Sequence, residues 1–271
     1  MKRVWMLFLL LLPPFAQGQN SSVDHKAFLE GGHTRISQGG VDTNGWYGAG
    51  TLYFEEVSHG AQPHNQAAFL ERAASMTVAY GNLAGDYPFL GRRDGDVEAV
   101  ELQYITESHW VLGAGYNQLE IDALVDRRTR TLTLGRYLGD ASRVLVSVGD
   151  ADTSSIVGGE SSDTTYSLEY KNVNVRMDGT AVTLDMKYDY MNGDGGSSNQ
   201  VSVSGEYHVS LATSLTAEID HTWGEASGTG YEIGVNQFFT RYFALGAKYS
   251  RNDPDAGTNT DTVTVFARVL F

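Results

Sequence analysis

The 271-residue chain has no cysteine, only five prolines and few bases: 19 Lys and Arg against 33 Asp and Glu, a formal net charge of −14. Each shortage excludes something. Without cysteine there are neither disulfide staples nor thiolate metal sites. A surplus of acid removes nucleic acid as a partner, because phosphate binding needs a basic footprint. Long apolar runs are also missing. Beyond Val4–Leu12 no stretch approaches the about 20 residues a membrane-spanning helix requires, and no long window carries a helical hydrophobic period. Glycine (31) and tyrosine (15) are plentiful instead, the composition of strands and turns. The mean hydropathy of −0.26 does not exclude a membrane barrel, whose strands are apolar only at alternate residues.

The N-terminus combines Lys2 and Arg3, the apolar run Val4–Leu12, and small residues Ala16 and Gly18. That order describes a secretory signal peptide over residues 1–18, leaving 19–271 as the mature chain. No cysteine follows to carry a lipid. An exported chain with no further apolar helix can cross a membrane only as a closed barrel, because lipid leaves unpaired backbone groups unsatisfied.

The other end carries the clearest strand. Val263, Val265, Ala267, Val269 and Phe271 alternate with Thr262, Thr264, Phe266, Arg268 and Leu270, a period of two with one wholly apolar face. Left as an open edge such a strand invites aggregation, and closing a barrel removes the edge. Similar segments repeat along the chain between turn signals. The pattern predicts an all-β fold, a transmembrane antiparallel up-and-down β-barrel of about fourteen strands, with about 12–16 compatible with the length. Strands are expected at His25–Ser37, Trp46–Val57, Phe69–Tyr80, Val97–Thr106, Trp110–Ile121, Arg128–Leu138 and Arg143–Val148, then seven more from Thr164 onward. Gly81–Asp96, Gly149–Asp163, Asn192–Asn199 and Asn252–Asp261 read as long polar loops at one end of the barrel. The turns at the other end read as short, except Ser58–Asn65, which is long for its position.

The ending resembles the C-terminal signal of bacterial outer-membrane barrels, carried by Val263, Val265, Val269 and Phe271. That resemblance implies recognition by the barrel-assembly machinery. The stretches TLYFEEV (Thr51–Val57) and AAFLERAASMTVAYG (Ala67–Gly81) resemble bacterial outer-membrane porins, more narrowly the general porins of Gram-negative proteobacteria. Phe69, Leu70 and Arg72 match that family's start to its next strand. The resemblance implies a cell outer membrane location, contact with outer-membrane lipid, passage of small hydrophilic solutes, and a monomer or homotrimer without cofactor.

If the apolar face meets lipid, the other face lines a lumen. Alternation places Glu169, Asp185, Asp189, Glu206, Glu218, Asp220 and Glu232 there, with Lys171, Lys187, Lys248 and Arg268. Acids outnumber bases, so a water-filled interior would mildly prefer cations. Arg92, Arg93, Asp94 and Asp96, at the end of the expected Gly81–Asp96 loop, are the candidate constriction. Asp253, Asp255, Asn259 and Asp261 alternate oxygens as a calcium loop does, but lack its closing Glu. Ser204, Glu206 and His208 share one face without the spacing of a nucleophile and its base. The expected function is a passive diffusion channel and not an enzyme, with no metal site. The alternative is a non-conducting barrel that serves as a structural anchor or an adhesion protein working through its loops.

Overall fold

A computed structural model describes residues 24–58, 62–87, 91–122, 124–156, 159–176, 180–194, 196–225 and 227–271; the expected signal peptide lies outside them. Fourteen antiparallel strands close into one barrel. They are β1 (Asp24–Gln38), β2 (Val41–Ser58), β3 (Ser75–Tyr87), β4 (Gly91–Ile105), β5 (Trp110–Ile121), β6 (Val125–Tyr137) and β7 (Ser142–Ser155). The second half comprises β8 (Gly159–Val175), β9 (Ala181–Gly193), β10 (Gly196–Ser210), β11 (Thr213–Gly224), β12 (Gly228–Phe238), β13 (Phe243–Pro254) and β14 (Thr260–Leu270). One helical turn, α1 (Ala67–Leu70), lies between β2 and β3. Among the described residues no helix is long and apolar enough to cross a membrane.

Closure runs through the first and last strands, which pair from Phe28↔Leu270 to Gln38↔Thr260. The Phe271 carbonyl accepts the Lys26 and Ala27 amides at 2.6 and 3.2 Å, and its own amide donates to the Ala27 carbonyl at 2.8 Å. Every strand thus has two neighbours, as a water-free surrounding demands.

Register assigns the faces, since directly paired residues point to the same side of the sheet. Val182, Leu184, Met186, Tyr188 and Tyr190 of β9 point outward, as do Tyr231, Ile233 and Val235 of β12. Ile233 is 61% exposed although it is fully apolar. A belt of such residues circles the barrel, and aromatic side chains bound it: Trp46 against His33 and Trp223 against His221 and Tyr188 at one end, Phe239 against Phe243 at the other. An outward apolar band flanked by aromatics is the surface a bilayer covers.

Two expectations about segments are corrected. The polar stretches read as long loops are mostly strand. β3 and β4 stay paired to Tyr87↔Gly91, β7 and β8 to Ser155↔Gly159, and β9 and β10 to Gly193↔Gly196. Strands reach 18 residues in β2, whereas about 9–11 suffice to cross a bilayer. The surplus continues the wall beyond the apolar belt, where water can solvate both faces and alternation is no longer required. The second correction concerns Phe69–Tyr80. β3 begins only at Ser75, and Phe69, Leu70 and Arg72 belong to α1 and the turn after it. Ala, Leu, Glu and Arg favour helix, and the consecutive residues Ala67–Leu70 break the period of two.

Candidate functional site

The eleven charged residues expected in the lumen all share the inward face. Glu169 and Lys187 are register partners, as are Lys171 and Asp185, Glu218 and Glu232, and Glu206 and Thr216. Their charges are partly cross-paired. Lys187 lies 2.8 Å from Asp189, Lys248 2.8 Å from Glu232, Lys171 3.4 Å from Asp185, and Arg268 2.6 Å from Glu30. Glu218 and Asp220 stand beside Glu232 on the β10–β12 wall, paired across strands with Ser204, Ser202 and Gly230. Carboxylates are therefore crowded on this wall, and water is their natural solvent.

The expected constriction is elsewhere. Arg92, Asp94 and Asp96 project outward from β4 and only Arg93 faces inward. Tyr80 donates to Asp96 at 2.6 Å and Arg92 lies 3.4 Å from Asp94, both on the outer surface. Arg92, Asp94 and Asp96 cannot narrow the lumen, because ladder pairing fixes them on the outer face, and only Arg93 stays on the lumen side. The calcium-like oxygens are also committed: Arg251 binds Asp253 at 2.7 Å and approaches Asp261 at 3.8 Å.

What narrows the lumen is the connection between β2 and β3. Its described part, Gln62–Ala74, crosses the barrel at the end that holds both Asp24 and Phe271, forming a strap. Asn65 is its hub. Its amide donates to Glu206 Oε1 at 2.8 Å and Ser214 Oγ at 3.0 Å, and its carbonyl accepts from Asn236 at 2.7 Å and Arg268 at 3.5 Å. Gln66 donates to the other Glu206 oxygen at 2.6 Å. His208, 3.2 Å from Glu206, completes the anchor on β10. Residues of β10, β11, β12 and β14 thus grip one end of the strap.

The other end reaches the facing wall. Phe69 packs on Tyr137 with ring centroids 5.3 Å apart, under the Arg143 guanidinium at 5.4 Å and the Lys171 ammonium at 5.1 Å. Cation–π attraction holds both charges over the ring. Arg72 then clamps the turns, donating to His109 Nε2 at 2.6 Å, Asp140 Oδ1 at 2.5 Å and the Gly139 carbonyl at 3.2 Å. Arg72 and His109 both have positive φ, 56° and 67°. Such strain persists where surrounding contacts over-determine it. The buried apolar clusters gather here too: Val57 with Ala67 and Ala73, Tyr137 and Leu145 around Phe69, and Phe238 with Leu270.

His64 leaves the strap to stack edge-on against Phe238 at 5.0 Å. Burial, then the nearby Arg241 charge, holds its imidazole below the ordinary range. A depressed base favours the docked strap while neutral, so that contribution is present above the usual histidine pKa and fades as pH falls through it. Amide protection factors in residues 62–74, corrected for the intrinsic rate at each pH, are expected to fall between about pH 7 and pH 5 in wild type, and a His64→Phe variant should flatten that dependence.

No protein-family model matches the sequence, and no curated protein matches it. Solved structures do match in shape. The chain is similar to the crystal structure of the Acinetobacter baumannii outer membrane protein Omp33, with a TM-score of 0.63 at 18% identity, over 93% of this chain and 100% of that one. It is also similar to a bacterial polysaccharide outer membrane secretin, with a TM-score of 0.54 at 11% identity, over 92% and 99%. The fold is that of a bacterial outer-membrane barrel. Within that fold the strap was the part hidden from sequence reasoning. Its one signal was the length of Ser58–Asn65, too great for a turn at that end.

Proposed function

We propose that this chain is a porin of the cell outer membrane, a passive diffusion channel for small hydrophilic solutes with a mild cation preference. The observation that carries the reading is the contrast between the two faces of one wall. The outer face is an apolar belt, while the inner face of the same strands holds Asp185, Asp189, Glu218, Asp220 and Glu232. Carboxylates crowded on an inward face call for water, and a water-filled barrel through a bilayer is a channel. Excess carboxylate concentrates cations along the β9–β12 wall, and the strap serves as the sieve at the periplasmic mouth. Residues 1–18 direct export, and Val263, Val265, Val269 and Phe271 address the chain to the barrel-assembly machinery. The finished barrel sits in outer-membrane lipid as a monomer or homotrimer, with no cofactor and no catalytic step.

A non-conducting anchor or adhesion barrel is the second reading, favoured by the strap and by the cross-paired lumen charges. One experiment separates the two. Refolded mature chain in a planar bilayer under a salt gradient is expected to give discrete openings with a reversal potential of cationic sign. Neutralising Asp185, Asp189, Glu218 and Asp220 to Asn or Gln should move that potential toward zero while openings persist. A folded, heat-modifiable barrel that never conducts would overturn the porin reading.

A further inference from the structure

We infer that the β5–β7 wall of the lumen holds a binding furrow for an uncharged, polyhydroxylated solute of sugar-like chemistry. The inference rests on the proposal that the lumen is a water-filled path, and it names a solute class that the path would favour. A cavity of about 370 Å³ opens against the inward face between β4 and β8, within the size range of small-molecule sites. Its depth comes from glycine. Gly113, Gly115 and Gly149 line up across neighbouring strands beside Thr133 and Thr131. A Cβ on Gly113 would stand 3.0 Å from Thr133 Cβ, and one on Gly149 would stand 3.4 Å from Thr131 Oγ1. Side chains at Gly113 or Gly115, which line the cavity, would fill the furrow.

The lining then selects the ligand. Gln103, Asn117, Thr129, Thr131, Thr133 and Ser147 present amides and hydroxyls to the cavity. Each such group can both donate and accept, as the hydroxyls of a polyol do. Thr133 and Ser147 share one hydrogen bond at 2.8 Å, which leaves further lone pairs for a guest. Charge on this wall does not favour an anion. Arg143 is the one base that lines the cavity, and it is already bound to Gln103 and Glu169 at 3.0 Å each. Glu101 adds an acceptor that a solute hydroxyl can satisfy. The β9–β12 wall is instead crowded with the carboxylates Asp185, Asp189, Glu218, Asp220 and Glu232. The lumen is therefore two-sided, with an ionic wall facing a hydroxyl-rich one.

The test uses the folded full-length mature barrel in detergent, titrated calorimetrically with sucrose, and with glycine and gluconate as zwitterionic and anionic controls. Saturable sucrose binding is expected, exceeding that of either control. The isosteric triple variant Thr129→Val/Thr131→Val/Thr133→Val should bind sucrose about tenfold more weakly, the loss of one or two net hydrogen bonds. Gly115→Val should weaken it by filling the furrow. Absence of saturable sucrose binding in wild type overturns the inference, as does unchanged binding by the triple variant or tighter binding of glycine or gluconate. Bilayer conductance of the same samples keeps the two proposals apart. A barrel that conducts without binding sucrose sinks the furrow alone, whereas one that binds sucrose without conducting sinks the channel alone.

Discussion

Replacing Gln62–Ala73 with a short turn is expected to raise single-channel conductance several-fold and to weaken size exclusion. The strap spans the lumen from Asn65, held among Glu206, Ser214, Asn236 and Arg268, to Arg72 on the turns of the facing wall. Nothing else among the described residues crosses the interior in this way. Excision also bares the apolar side chains around Val57, Tyr137 and Phe238, so the deleted barrel will be less stable. Point changes provide a gentler version. Asn65→Leu removes the amide that satisfies Glu206 and leaves a half-buried carboxylate under-bonded, a cost of about 1–3 kcal/mol. Each about 1.4 kcal/mol multiplies the undocked population tenfold. Asn65→Leu with Arg72→Ala should therefore produce frequent excursions to the conductance of the deletion. If conductance and size cut-off are unchanged by excision, the strap is not the sieve.

Placing a charge on the belt should have the largest effect on stability. Ile233→Arg puts a guanidinium at an outward position flanked by Tyr231 and Val235, and arginine at the middle of a bilayer costs a barrel about 2–4 kcal/mol. Ser204→Arg is the matched control. Ser204 points inward between its register partners Asp185 and Glu218, where a cation finds two acids and water. Urea titration of both variants in lipid vesicles should show a large loss for Ile233→Arg and little for Ser204→Arg. Equal losses would mean that the two faces are not lipid and lumen.

Both faces were readable in the sequence because lipid forces every outward residue in the belt to be apolar, which leaves a period of two. Val182 to Tyr190 against Thr183 to Asp189 is the plainest case, and the strand number followed from counting such segments. The alternation stops where the forcing stops. Arg92, Asp94 and Asp96 lie in strand above the belt, where an outward charge meets water at no cost, so their polarity resembled a loop. The strap was hidden for the opposite reason. Its contacts are long-range, as in Asn65 to Glu206 or Arg72 to His109, and no local pattern marks which distant wall a polar side chain will find. Phe69 looked like a strand residue by hydrophobicity, yet the lumen, with Arg143 and Lys171 above its ring, is what accommodates it.

The wall that continues past the belt has a consequence for whatever meets this protein from outside. Strands paired to Tyr87↔Gly91 and Ser155↔Gly159 make the described part of this rim a collar of hydrogen-bonded strand. A partner docking on that collar is expected to meet backbone whose hydrogen bonds are already made, and so to bind it with little backbone movement. Escape from such a partner would then come from single side-chain replacements on the outward rows, such as Asp94, Arg128 or Asp152, because an inserted residue would break the ladder on both sides.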